Sequence, residues 1–327
     1  MKVRFWGSRG SLPASYTAEA IRMKLFVALK AASELNLRTD DEIRDFLHNS
    51  LANEGPAFST VGSYGSNTSC VEICSSEGEY LLCDAGTGLR DFGNHVVQSA
   101  GQRENSKGNT FNICLSHLHW DHIQGFPFFT PAYISGNRIR IYGFHKELER
   151  AFVTQQEYPY FPVPLESMSA DIEFIVLEEG EEYEIAGLTV RGAKQNHPGD
   201  SYGYRFEKDG KSVVYSTDSE HKKEAYEKDY VFLSFFKDAD LLIFDAQYSL
   251  LDAITAKENW GHSSNIIAVE LSVKSGVKRL CIYHNEPTLD DERLDKFLED
   301  TRKYLKVYAE DYALRIDLAY DGLEIEV

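Results

Sequence analysis

Apolar side chains recur along this chain in short runs, some alternating with polar residues and some continuous, each closed by Gly, Pro, Asn or Asp. That pattern predicts β-strands at 3–6, 70–74, 80–83, 111–115, 138–142, 172–176, 188–193, 202–206, 212–216, 241–244, 279–283, 314–317 and 323–327. Apolar positions three and four apart predict helices at 90–99, 145–156, 220–236, 263–274 and 289–310. The strands run first as meanders and then alternate with helices, which predicts a mixed, layered α/β fold. No repeat, low-complexity tract or linker interrupts the pattern, so residues 1–327 read as a single domain.

Residues 17–51 break the rhythm. They carry no strand signal, and Ile21, Leu25, Ala28, Leu29, Ala32 and Leu35 recur at helical spacing. A second helix opens at Thr39-Asp40-Asp41-Glu42, a capping-box pattern, and continues through Ile43, Phe46, Leu47 and Leu51. The segment reads as a helical hairpin inserted between the first strand and the turn at 62–70. Two roles are open to it: decoration packed on the core, or a lid or dimer contact beside the pocket.

Composition narrows the class. Hydrophobic residues make up 43% of the 327 and charged residues 26%, ordinary globular values. No apolar run approaches the ~18 residues of a membrane span, so no membrane partner is expected. The opening Met1-Lys2-Val3-Arg4-Phe5-Trp6-Gly7 reads as a strand rather than a secretory signal, and the default expectation is a cytoplasmic location. Cys70, Cys74, Cys83, Cys114 and Cys281 lack CxxC spacing and lie in strand-like stretches, which predicts buried thiols rather than disulfides. A net charge of −18, with no basic arm, argues against a long nucleic acid as partner. A small anion stays admissible, because bound cations invert the field inside a pocket.

The chemistry concentrates in Ser116-His117-Leu118-His119-Trp120-Asp121-His122. In extended backbone His117 and His119 project to one side of the chain. Four ligand-type residues within six positions at a strand end pack poorly as core. Imidazole and carboxylate are what a divalent transition metal selects.

His-x-His-x-Asp-His resembles the motif of the metallo-β-lactamase fold superfamily, and other residues follow in that family's order. Asp84-Ala85-Gly86 looks like its Asp-x-Gly strand end, which supports the metal loop. His197 (in Asn196-His197-Pro198-Gly199), Asp218 (after Ser216-Thr217) and His284 (at the end of strand 279–283) look like its remaining ligands. The resemblance covers about residues 1–14 and 60–327. It implies a four-layer αββα sandwich of two mixed sheets, with the hairpin as an insertion. It also implies two divalent metal ions, one on His117, His119 and His197, the other on Asp121, His122 and His284, with Asp218 shared. Nitrogen-rich ligation suits Zn2+, while Mn2+ or Fe2+ is admissible.

Further residues bear on the reaction. Asp245-Ala246-Gln247-Tyr248 and Trp260-Gly261-His262-Ser263-Ser264 resemble an acidic residue and a Gly-His-Ser/Thr motif of the phosphodiesterase branch, which includes tRNA 3′-processing nucleases of the RNase Z type. The openings 5–13 and 64–70 resemble a bacterial subgroup described as cyclic-nucleotide phosphodiesterases, related to PhnP-type enzymes. Ser66 stands where that subgroup has glycine, and Asn285-Glu286-Pro287 where it has His-Asp-Pro. Arg9 and Asn67 read as turn support and an ion pair in preference to pocket lining. The implied activity is hydrolysis of a small phosphodiester, foremost a cyclic nucleotide, by a hydroxide held between the metals. His262, Asp245 and Asp121 are the catalytic candidates, His262 protonating the leaving oxygen. The alternatives are a tRNA 3′-processing endonuclease, an acyl hydrolase (lactam, thioester or lactone) and a non-enzymatic metal-bound binding module. A homodimer is admissible.

Overall fold

The computed structural model describes residues 1–48, 57–73, 78–100, 108–248 and 259–327. Two seven-stranded mixed sheets face each other. The first runs β14 (Glu324–Glu326), β1 (Lys2–Gly7), β2 (Cys70–Ile73), β3 (Glu79–Cys83), β4 (Thr110–Cys114), β5 (Arg138–Gly143) and β6 (Asp171–Val176). The second runs β13 (Arg315–Leu318), β12 (Arg279–Tyr283), β11 (Leu241–Asp245), β10 (Lys211–Ser216), β9 (Tyr202–Lys208), β8 (Leu188–Lys194) and β7 (Glu182–Ile185). Strands β3 to β6 pair in parallel, as do β10 to β13, and the remaining pairs are antiparallel.

The period-two alternation of side chains builds the layers. On β10, β11 and β12, Val213, Tyr215, Leu241, Ile243, Cys281 and Tyr283 point into the core between the sheets. Their neighbours Val214, Leu242, Phe244, Leu280 and Ile282 point outward, under helices α7 (Val231–Phe235), α8 (Asn265–Lys274) and α9 (Asp291–Tyr308). The outer face of the first sheet, with Phe111, Ile113, Ile139 and Ile141, is covered by α4 (Gly88–Ala100) and α6 (Leu148–Gln155). These are the four layers expected, helix–sheet–sheet–helix. Buried on both faces, the central strands read as continuous apolar runs, which made them legible.

Two expectations needed correction. Strand β7 had no sequence signal, because Glu182-Tyr183-Glu184-Ile185 is a polar edge strand. The helix at 220–236 is replaced by a 3-10 turn at Lys223–Tyr226 and the short α7. Tertiary bonds consume the start of that segment: the Glu220 amide donates to Asn196 O and the His221 amide to Ser263 Oγ.

Within the expected hairpin, α1 (Ala18–Leu35) and α2 (Asp40–His48) both form. The capping box closes as its sequence requires. Thr39 Oγ1 accepts from the Glu42 amide at 3.2 Å and Glu42 Oε2 from the Thr39 amide at 2.9 Å. Leu51 lies outside the described residues, as does Cys74. Helix α1 has no buried residue and leans on α3 (Phe58–Val61). Lys24 fastens it, donating to Gly62 O at 2.5 Å and to the Asp291 carboxylate. Among the described residues no helix is long and apolar enough to cross a membrane.

Candidate metal centre

Parallel strands aim their carboxyl ends at one edge of the sandwich, and the loops leaving those ends carry the chemistry. From the first sheet, β3 leads to Asp84, and β4 leads into His117–His122, the last of which lie in the short helix α5 (Trp120–Ile123). From the second, β8 leads to His197, β10 to Asp218, β11 ends at Asp245 and β12 leads to His284. Asp84, Asp218 and His284 take left-handed backbone, with φ of 62°, 50° and 61°. Non-glycine residues adopt that conformation at a cost, and such residues cluster at functional sites.

The seven predicted ligand residues converge. His117 Nε2 lies 2.9 Å from His119 Nδ1, which lies 3.2 Å from His197 Nε2. Asp121 Oδ2 lies 3.2 Å from both His122 Nε2 and His284 Nε2. Asp218 stands between the two groups. Its Oδ2 is 3.7 Å from His117 Nε2 and 3.8 Å from His197 Nε2, and its Oδ1 is 3.4 Å from His122 Nε2 and 3.3 Å from His284 Nε2. A tetrahedral ion with ligands at ~2.0–2.1 Å spaces them ~3.3 Å apart, so the separations match two such polyhedra sharing one carboxylate. His122 Nε2 is buried without a hydrogen-bond partner and faces this space, as an unused ligand atom does. The donor set therefore fits divalent cations.

Burial, reinforced by neighbouring imidazoles, drives His117 well below the ordinary imidazole range, and burial likewise lowers His119 and His197. Neutral rings are the ligand form. Burial disfavours ionisation of Asp121 and Asp218, yet the histidines beside them hold both carboxyls well below the usual range. His122 runs the other way: burial lowers its pKa, but Asp121, Asp218 and Asp84 together raise it well above normal. A cation held there would take the place of that proton.

The ligands are themselves held. Asp84, fully buried, accepts from His122 Nδ1 at 2.7 Å, Ser116 N at 2.7 Å, Ser116 Oγ at 2.8 Å and Tyr215 OH at 2.6 Å. This fixes the His122 tautomer and leaves Nε2 for the centre. His197 Nδ1 donates to Gly261 O at 2.9 Å. Gly261, at φ +89°, must be glycine, since a Cβ there would stand 2.2 Å from His197 Nδ1. Beside the donor groups His262 Nδ1 donates to Asp245 Oδ2 at 2.8 Å, and the ring stacks on His284 with centroids 5.0 Å apart. Burial lowers the His262 pKa, but Asp245 more than compensates and brings it to about 9.

Several contributors carried no advance signal. Tyr215 reaches Asp84 from inside the core, where it reads as one more apolar strand residue. The Ser11 amide donates to Asp121 Oδ2 at 2.8 Å. Trp120, between two ligand residues, is 80% exposed, and Trp260, two residues before His262, is 59% exposed. Arg9 and Asn67 do support turns: Arg9 is buried, donates to Gly65 O and Glu286 O, and faces Asp291 at 3.7 Å, while Asn67 Nδ2 donates to Asp91 at 2.8 Å.

A histidine- and carboxylate-lined centre at the edge of an αββα sandwich defines a metal-dependent hydrolase. Residues 79–285 match the model of the beta-lactamase superfamily domain, and the chain belongs to that family. A ribonuclease Z of Oceanobacillus iheyensis is 23% identical over 243 residues, spanning 58% of this chain and 76% of the relative. Among solved structures, the metallo-beta-lactamase fold protein YhfI from Bacillus subtilis shares the fold with a TM-score of 0.63 at 18% identity, covering 100% of this chain and 98% of that one. A diphosphatase from the PhnP family aligns with a TM-score of 0.58 at 17% identity, over 100% and 97% of the two chains.

Proposed function

We propose that the chain hydrolyses a phosphodiester bond in a small, nucleotide-like substrate, foremost a cyclic nucleotide, with two divalent cations on the seven residues named. The observation that carries this reading is the His262–Asp245 pair set against His284 and Asp218. An alkoxide is a poor leaving group, and a positioned acid is worth ~10²–10⁴ in rate when one departs. Acyl transfer to water from a lactam or thioester has less use for such a pair. Cations held by these residues supply charge neutralisation at the phosphate and an activated water. The chain's own residues do the rest. Asp245 occupies His262 Nδ1, so the proton delivered to the leaving oxygen is the one on Nε2. The Ser11 amide holds Asp121 in place, and Asp84 orients His122. The exposed indole of Trp120 offers a face on which a base can stack, worth ~1–3 kcal/mol per base in such contacts. A panel of 3′,5′-cyclic nucleotides, 2′,3′-cyclic phosphates and linear dinucleotides, assayed with metals quantified, tests the reading. Turnover of lactams, thioesters or lactones in preference to every phosphodiester refutes it.

The ribonuclease Z relatives favour a second reading, endonucleolytic cleavage of a precursor tRNA by the same residues. The charge of −18 opposes it, since a polyphosphate gains affinity from basic contacts. Cleavage of precursor tRNA in the same assay, faster than of any dinucleotide, would establish it.

A further inference from the structure

Arg22, Arg44, Arg138 and Arg293 each face a carboxylate that no other arginine shares. A cavity of about 460 Å³ at the β13 edge of the second sheet departs from that pairing, with Arg279, Arg302 and Arg315 on its wall. Strands β12 and β13 place Arg279 directly beside Arg315, and like charges side by side on neighbouring strands destabilise a sheet. Asp317 relieves only part of that, its Oδ2 facing Arg279 Nε at 2.6 Å and Arg315 Nε at 3.4 Å. Arg302, on α9, donates from Nε and Nη2 to Ile316 O at 3.1 and 2.8 Å, the carbonyl between Arg315 and Asp317. Three guanidiniums are thus fixed around one carboxylate. The terminal nitrogens of Arg279 and Arg315, and Nη1 of Arg302, bond no acceptor among the described residues. Nearby carboxylates are already engaged: Glu324 faces Lys2 at 2.7 Å and Arg4 at 3.5 Å, and Asp295 accepts from Tyr64 OH and the Ser59 amide. Protection of a sheet edge accounts for Arg315, 66% exposed on the outermost strand. It does not account for Arg279, one strand further in and 14% exposed.

We propose that this cavity is an anion site for a phosphate monoester on a small planar body, separate from the metal centre. Asp317 occupies the Nε of Arg279 and of Arg315, which leaves the terminal fork of each guanidinium for phosphate oxygens. A dianion there balances the charge that three arginines and one aspartate leave over. Leu298, Leu323 and Tyr320, on the same wall, supply an apolar surface for the body of the ligand. On a chain of net charge −18, such a cluster is also the place where an anion meets least repulsion. Arg279 opens β12 and His284 follows its far end, so the site lies ~16 Å from that metal donor. Its ligand is therefore independent of the reaction proposed above.

The test is equilibrium dialysis of 5′-AMP against the metal-loaded chain at low ionic strength, compared with Arg279→Gln plus Arg315→Gln. Wild type is expected to bind one AMP per chain more than this variant. Metal content and circular dichroism should be the same in both, so that AMP held at the metal centre cancels. Inorganic phosphate should displace the extra AMP, and adenosine at equal concentration should not. Equal binding by the two chains overturns the proposal. So does displacement by adenosine, which assigns the cavity to the base rather than the phosphate. Arg315→Gln alone, at an exposed position, covers a double variant that fails to fold. Its affinity for the extra AMP is expected to fall about tenfold or more, and an unchanged affinity overturns the proposal as well.

Discussion

Replacing His262 by alanine separates a proton donor from a structural ring, and the size of the effect follows from its surroundings. The imidazole makes one charge-assisted bond, to Asp245 Oδ2 at 2.8 Å. Removing it leaves Asp245 with the Ser219 and Gln247 amides, both at 3.2 Å, so the buried carboxylate keeps two donors and the fold is retained. The loss therefore falls on chemistry. A general acid contributes ~10²–10⁴, or about 3–5 kcal/mol of barrier. That contribution is needed only when the departing oxygen is basic. In His262→Ala, kcat on a cyclic nucleotide or linear dinucleotide should drop by about a thousandfold. On a p-nitrophenyl phosphodiester, whose phenolate leaves without a proton, it should drop by less than about tenfold. Metal content should stay at the wild-type level. The companion Asp245→Asn removes the charge that raises His262 from 6.5 to about 9. The acid acts while protonated, so kcat falls as pH rises through its pKa, and the variant's fall begins at lower pH. Bound cations would pull both profiles down together and keep their order. Equal losses on the two leaving groups, or metal lost in proportion to activity, would refute the assignment.

Asp84→Ala strands the Ser116, Tyr215 and His122 donors in the core at ~1–3 kcal/mol each, and should lower metal affinity about 10- to 100-fold. Thermal unfolding and metal titration check both; Tyr215→Phe should show a milder version. Gly261→Ala forces a Cβ toward His197 from left-handed backbone. It should cut turnover and weaken metal binding while secondary structure by circular dichroism is unchanged. Cys70, Cys83, Cys114 and Cys281 are buried, and burial raises each thiol above its ordinary range. Alkylation followed by mass spectrometry should find these four unmodified in the native chain and reactive after denaturation.

What was legible in the sequence depended on how locally each feature is encoded. Strands such as 241–245 and 279–283, covered on both faces, betray themselves as unbroken apolar runs; the exposed Glu182–Ile185 strand does not. The His117–His122 loop is a compact signal, because four donors in six positions have no packing explanation. His197, Asp218 and His284 are single residues, visible only as a set placed after successive strands. Nothing local shows that Asp218 turns one oxygen to each histidine group, since that follows from the left-handed turn after β10 and the gap between the sheets. Tyr215 is not legible in the sequence, because a core tyrosine and a carboxylate-holding tyrosine look alike until the opposite sheet is in place. The segment around His221 has helical spacing yet is not helical, because spacing cannot reveal that tertiary bonds outcompete it.

The donor atoms come from both sheets. His117, His119, Asp121 and His122 hang from the first, and His197, Asp218 and His284 from the second, with no covalent bridge between the halves among the described cysteines. A divalent cation held by these residues would draw ligands from both sides and act as a rivet through the join. Occupancy a thousandfold above Kd would add about 4 kcal/mol to folding, and that gain would resist the one motion, the parting of the sheets, that would spoil the geometry for chemistry. Durability of the fold and readiness of the catalyst are thereby set by the same few bonds.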